Sequence, residues 1–305
     1  GGPCAGALAG ARSFMRCALG KAKCINQETN EFAMNFEAIH AVRTRAVLEI
    51  TLNKPESRNA MSLAMVAELQ QALQAAEQSA GQADAVRVVV LRGAGGHFCA
   101  GADLKDMAAA RMRAMQGGDD GIDPIAEVNA QFGRMCAAFA NSPLAIVAVL
   151  EGTVMGGGFG LACVADVAIA SETARFRLPE TSLGVVPAQI APFLVERLGY
   201  SQAKRLAVTG GRLDAAAALA MGLVHQQVPT AQLQSALDVV LADILACAPG
   251  ALAATKALMA KARLQAPASL VDEAAAIFSR AAQGPEGMEG MGAFIQKRKP
   301  NWVPV

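Results

Sequence analysis

HFCAGADL at residues 97–104 and VMGGGFGL at residues 154–161 are two glycine-rich turns, and how they are read decides the fold. Each follows a short apolar, β-branched run of the kind found in a strand buried on both faces, VRVVVL at 86–91 and AIVAVL at 145–150. Each also leads toward a helix. A turn of this type exposes backbone N–H groups, and glycine lets a ligand approach them closely. Two such turns side by side can polarise one carbonyl oxygen from two directions, which stabilises an enolate or a tetrahedral oxyanion. Either turn alone is also what plain turn-making requires.

Other phosphate and hydrolase motifs do not fit. The chain has no GxxxxGK[ST] and no GxSxG, and the 156–158 triplet lacks the first-strand position and distal acid of a dinucleotide fingerprint. His97 beside the first turn reads as a solvent-facing histidine. The seven cysteines are scattered without CxxC spacing, and three histidines make no zinc pattern. Free thiols, no metal and a cytoplasmic setting are expected.

Working outward, 53% of the 305 residues are hydrophobic and 17% charged, with only 4% aromatic, so a globular core must be built from Ala, Val, Leu, Ile and Met. Lys plus Arg (27) nearly cancels Asp plus Glu (26), which argues against nucleic acid or an anionic membrane as a partner. No apolar run approaches the roughly 20 residues of a membrane span. Residues 1–33 are small and acid-poor before Glu28 and read as a leader, with Met34 opening the natural protein. The pattern predicts a strand at 46–52, a helix capped by Ser62 with a stripe of Leu63, Val66, Leu69, Leu73 and Ala76, and a helical, mobile segment at 105–123 around Gly117 and Gly118. It predicts a further strand at 164–170 and only helices after about Tyr200, with Leu237, Leu241, Ile244 and Leu245 as one amphipathic stripe.

Taken together, FCAGADL, GGGFGLACVADVAIAS, ARFRLPETSLGVVP and GLVHQQVP resemble the crotonase (enoyl-CoA hydratase/isomerase) superfamily in order and spacing, over roughly residues 36–304. The resemblance implies an α/β fold, a spiral of ββα turns followed by a C-terminal helical region, assembled as a trimer or a dimer of trimers. It divides the chain into a leader (1–33), a core holding the acyl-CoA site (34–230) and a helical region for oligomerisation and for covering CoA (231–305). It implies a CoA thioester as substrate, no separate cofactor, and an oxyanion hole of the backbone N–H groups of Ala102 and Gly157. Ala100, Gly101 and Gly156 belong to the same substrate-binding turns, and Asp103 fixes the first of them. Arg58, Asn59 and Ala60 match the family's CoA-binding loop, and Lys297 lies in the tail (294–300) that covers adenine.

One departure matters. Two-base hydratases carry Glu in GGGxE, where this chain has Gly160, while the second family carboxylate is kept as Glu180 in FRLPE. An apolar-lined carboxylate beside a desolvated thioester has a raised pKa and works as acid or base near neutrality. The run VPAQIAPF at 186–193, with Gly160, resembles bacterial 3-methylglutaconyl-CoA and isohexenylglutaconyl-CoA hydratases of leucine and acyclic-terpenoid breakdown. Such substrates end in a second carboxylate, for which Arg111, Arg113 and Arg134 are candidate partners. Alternatives of the same fold are an enoyl-CoA isomerase, a polyketide β-branching dehydratase or decarboxylase, and a non-catalytic RNA-binding or scaffold protein.

Overall fold

The computed structural model describes residues 29–31, 36–82, 84–116 and 123–304. Ten strands and ten helices occur among them: β1 (Thr29–Glu31), β2 (Ile39–Thr44), β3 (Val47–Leu52), α1 (Leu63–Gln78), β4 (Val88–Gly93), α2 (Leu104–Met115), α3 (Pro124–Asn141), β5 (Ala145–Leu150), β6 (Thr153–Met155), α4 (Gly157–Val164), β7 (Val167–Ser171), β8 (Arg175–Arg177), α5 (Ala191–Thr209), β9 (Arg212–Asp214), α6 (Ala215–Ala220), β10 (Gln226–Val228), α7 (Leu233–Ala246), α8 (Pro249–Ala262), α9 (Val271–Gln283) and α10 (Pro285–Ile295).

The larger sheet has seven strands in the order β1-β2-β3-β4-β5-β7-β10. From β3 onward neighbours run parallel, and β1 and β2 close the edge antiparallel. Successive side chains alternate between two cores. Val89, Leu91, Ile146 and Ala148 face the main core with Phe98, Phe159 and Phe176. Val88, Val90, Ala145 and Val147 face a second core capped by Leu233, Leu237 and Val240 of α7. Burial on both faces is why β4 and β5 read as continuous apolar runs. The expected stripe of α7 lies here, with Leu241, Ile244 and Leu245 packed against the second core.

A second layer follows the first strand by strand. β6 pairs parallel with β8, and β8 antiparallel with β9. Single bridges extend the layer, Cys99 to Val154 and Met61 to Ala102. The chain thus leaves the large sheet after β3, β4, β5 and β7, adds a short piece to the second layer, and returns through a helix. That is the expected spiral of ββα turns. It brings the loops after four parallel strands to one end of the molecule, the usual location of ligand sites in parallel sheets.

Several sequence expectations are corrected by tertiary structure. The strand expected at 46–52 is present as β3, but it pairs as the second arm of an unforeseen hairpin, turned at Arg45 with φ 54° and lacking the Gly or Asn that announces such turns. Residues after Tyr200 are not helical throughout, because β9 and β10 complete the two sheets. Helix α3 stands separately from α2, started by Asp123, whose carboxylate accepts from the Ile125 and Ala126 N–H groups, and by Pro124 in the first turn. Gly117 and Gly118 lie outside the described residues. Within the segment expected to be a leader, Thr29–Glu31 pairs with β2 as an edge strand, and the remainder lies outside the described residues. As expected, Ser62 caps α1, its hydroxyl accepting from Met65 N–H at 3.2 Å.

The C-terminal helices are tied to the opposite end of the sheet from those loops. Arg87, just before β4, donates to the carbonyls of Trp302 (2.7 Å) and Leu245 (3.1 Å). Lys256 of α8 donates to Leu144 O and pairs with Asp166, both at 2.6 Å, at the start of β5. No single described helix is long and apolar enough to cross a membrane.

Candidate active site

The two glycine-rich turns are zipped together backbone to backbone. Cys99 N–H donates to Thr153 O and Met155 N–H donates to Cys99 O, each at 2.9 Å. Beyond that bridge Gly101 and Gly156 touch. A Cβ at Gly156 would stand 3.6 Å from Gly101 Cα, and both residues have positive φ (98° and 49°).

Within the first turn the N–H groups can be followed one by one. Ala100 N–H goes to Arg58 O (2.9 Å), Gly101 N–H to Cys99 Sγ (3.4 Å) and Asp103 N–H to Met61 O (3.0 Å). This leaves the Ala102 N–H, which points away from Met61, without a partner among the described residues. In the second turn Gly156 N–H is taken by Arg177 O (3.1 Å). Gly157 opens α4, so its N–H is one of the free donors of a helix start. Burial pushes the Cys99 thiol beneath both turns up to about 12, so it stays neutral and adds no negative charge there.

Glu180 lies over this junction. Its Oε1 is 3.0 Å from where a Cβ on Gly156 would be, and its Oε2 is buried without a hydrogen-bond partner among the described residues. Burial raises its pKa above the usual carboxylate range, partly offset by its own backbone N–H. The single 3₁₀ turn Glu180–Leu183 that carries it ends at Gly184 (φ 75°) and is braced by Ser182 Oγ donating to Pro179 O (2.6 Å) and by Thr181 Oγ1 donating to Ala207 O of α5 (2.8 Å).

No carboxylate fits at Gly160. A Cβ there would meet Ile190 Cγ2 at 2.4 Å and Phe132 Cζ at 3.4 Å, and Ile190 is itself buried. The Phe132 ring also stands 3.2 Å from a Cβ at Gly157. Phe132 and Ile190 thus roof the second turn with apolar surface. Gly160→Ala should therefore cost about 1–3 kcal/mol by overpacking. Thermal unfolding of Gly160→Ala, Ile190→Ala and the double variant checks this, since the double variant should lose less than the sum of the singles.

The chain matches the enoyl-CoA hydratase/isomerase family over residues 43–304. It belongs to the enoyl-CoA hydratase/isomerase family. The 2,3-dehydroadipyl-CoA hydratase of Escherichia coli (strain K12) is 32% identical over 262 residues, covering 85% of this chain and 96% of that protein. Among solved structures, an enoyl-CoA hydratase/isomerase from Marinobacter aquaeolei is 48% identical with a TM-score of 0.82, covering 88% of this chain and 99% of that one. AtuE from Pseudomonas aeruginosa is 49% identical with a TM-score of 0.82, covering 88% and 100%. The protein is thus a hydratase-type enzyme of the crotonase fold.

In this hydratase only some of the residues singled out in the sequence converge. Ala100, Gly101, Ala102, Gly156, Gly157 and Glu180 gather at the junction just described. Asp103 caps α2, its Oδ1 accepting from Lys105 N–H at 2.8 Å. Asn59, fully buried with φ 57°, donates to Ala94 O (2.9 Å) and His97 O (2.7 Å) and so clamps the loop holding Arg58 and Ala60 onto the first turn. His97 is half-buried rather than solvent-facing, because its Nδ1 accepts from Thr153 N–H at 3.1 Å and helps join the layers.

Arg58 borders a groove of about 510 Å³ with Arg175, Phe176, Arg177, Arg212 and Asp214. Lys297 follows α10 in a tail where Arg298 pairs with Glu289 and Trp302 reaches Ala246 O, at the sheet end away from the site. Within one chain, Lys297 is not brought to the turns. Arg134 is paired with Glu127, and Arg111 and Arg113 are exposed on α2. The roof residues Phe132 and Ile190 were missed by sequence reasoning. The signal available was the replacement at Gly160, which implies that some other side chain fills the space.

Proposed function

We propose that this enzyme adds water across the double bond of a 3-branched glutaconyl-CoA, with Ala102 and Gly157 as oxyanion donors and Glu180 as its one catalytic carboxylate. The observation that carries the reading is the sealed Gly160 together with a half-buried Glu180 whose Oε2 is buried without a hydrogen-bond partner among the described residues. The thioester oxygen accepts from the two backbone N–H groups, which draws electron density from C3 through the conjugated system. Glu180 takes a proton from water as its oxygen bonds to C3. It then returns that proton to C2 as the enolate collapses. At a branched C3 the product is a tertiary alcohol. The relative named for 2,3-dehydroadipyl-CoA supports an acyl chain ending in a second carboxyl group, and leucine or acyclic-terpenoid breakdown supplies substrates of that class.

Assembly as a trimer or hexamer belongs to the same proposal. Phe278, Met288, Phe294 and Ile295 of α9 and α10 are 75%, 61%, 86% and 79% exposed, an apolar surface that a neighbouring copy would cover. A neighbour is also what would bring Lys297 to CoA.

Incubation with glutaconyl-, 3-methylglutaconyl-, isohexenylglutaconyl- and crotonyl-CoA, followed by loss of enoyl-thioester absorbance, tests the substrate assignment. The branched glutaconyl thioesters are expected to give the highest kcat/KM. A preference for crotonyl-CoA, or a shifted double bond without added water, would overturn it.

A further inference from the structure

Next to the roof of the site stands a polar pair that the chemistry above does not use. Gln189 immediately precedes Ile190, which covers Gly160. Asn129 and Gly133 lie one turn apart on α3, flanking Phe132, which covers Gly157. Gln189 Nε2 donates to Asn129 Oδ1 at 2.8 Å. Gln189 Oε1 is turned into a notch in α3, 2.0 Å from where a Cβ on Gly133 would be. Glycine inside a helix is unfavourable relative to alanine, and here its missing side chain is what seats the carboxamide.

This arrangement sorts donors from acceptors. Asn129 Oδ1 is already accepting, and Gln189 Oε1 is turned toward Gly133 of α3. What remains free is the Asn129 NH₂ group and the second N–H of Gln189. A half-buried surface on which unengaged N–H groups predominate, beside apolar Phe132 and Ile190, matches a carboxylate better than an alkyl end. The arginines near the site are poorer candidates, since Arg134 is paired with Glu127 and Arg111 and Arg113 face solvent.

We infer that Asn129 and Gln189 form the subsite that recognises the distal carboxylate of a dicarboxylic acyl-CoA. This rests on the glutaconyl reading above and names the residues responsible for it. The pair sets specificity and takes no part in proton transfer. A substrate lacking the carboxylate leaves its donors unsatisfied, and one carrying it binds across them.

The test uses saturated thioesters, which cannot be hydrated. Binding of glutaryl-CoA and butyryl-CoA is measured by calorimetry on the wild-type protein and on Gln189→Met, Asn129→Leu and Gly133→Ala. Gln189→Met keeps the length and removes the amide. Gly133→Ala displaces only the flexible end of Gln189, so it remains folded. Wild-type protein should prefer glutaryl-CoA, and each variant should weaken that ligand roughly 10- to 100-fold while butyryl-CoA changes by less than about twofold. Equal weakening of both ligands, unchanged glutaryl-CoA binding, or no preference in the wild type would overturn the inference. If the preference is present but no glutaconyl thioester is turned over, the carboxylate subsite stands and the hydration reading fails.

Discussion

Glu180→Gln is expected to lower kcat by roughly 10² to 10⁴ while leaving KM nearly unchanged. The substitution keeps the shape of the side chain and removes its capacity to exchange a proton. Hydration needs one group to take a proton from water and one to deliver a proton to C2. Gly160 supplies neither, and the Ile190 and Phe132 contacts leave no room for a carboxylate there. Stability should move the other way. Burial raises the Glu180 pKa, so the folded state binds this proton more tightly than the unfolded state. The stabilisation from that proton is present at low pH and is lost as pH rises through the folded-state pKa. Above that pKa the buried charge is destabilising, and the neutral carboxamide introduced by Glu180→Gln should raise Tm at pH 8. Steady-state kinetics with 3-methylglutaconyl-CoA and calorimetric unfolding measure the two effects. A variant that turns over normally would return the search to another acid.

The second large effect is expected at Gly157. Replacement by Pro removes the N–H that starts α4 and should reduce kcat by about 10² to 10³, the loss seen when one oxyanion donor is deleted. Proline is otherwise acceptable in the first turn of a helix. Its ring atoms would press on Phe132, which stands 3.2 Å from a Cβ at this position. Gly157→Ala makes the same contact and keeps the N–H, so the ratio of the two variants isolates the donor. Ala102→Ser, which leaves the backbone intact, should be mild. Equal kcat for folded Gly157→Pro and Gly157→Ala would show that this N–H carries no part of the rate.

Local chemistry makes some of this legible in the sequence. The turns at 97–104 and 156–158 reveal themselves by glycine, and β5 by an unbroken apolar run that matches its observed span of Ala145–Leu150. Ser62 announced α1 because capping is a local hydrogen bond. The misses are tertiary in origin. Gln226–Val228 has no alternation of its own and becomes a strand because β7 offers it an edge. Arg45 makes a hairpin turn without a turn residue. The roof of the site joins Phe132, Gly160 and Ile190, residues about 30 apart along the chain that meet only when α3, α4 and the start of α5 pack together. Sequence reading marked the missing glutamate at Gly160, but the side chain filling its place, and the Asn129–Gln189 pair beside it, required the fold.

The central claim is that one carboxylate carries the proton transfers, and the dependence of kcat/KM on pH tests it most directly. For the wild-type enzyme the activity should rise with pH along a single acid limb of unit slope, centred above the ordinary glutamate range because burial raises the Glu180 pKa. The residual activity of Glu180→Gln should lack that limb. A limb of slope two, or one that persists unchanged in Glu180→Gln, would contradict the single-carboxylate account.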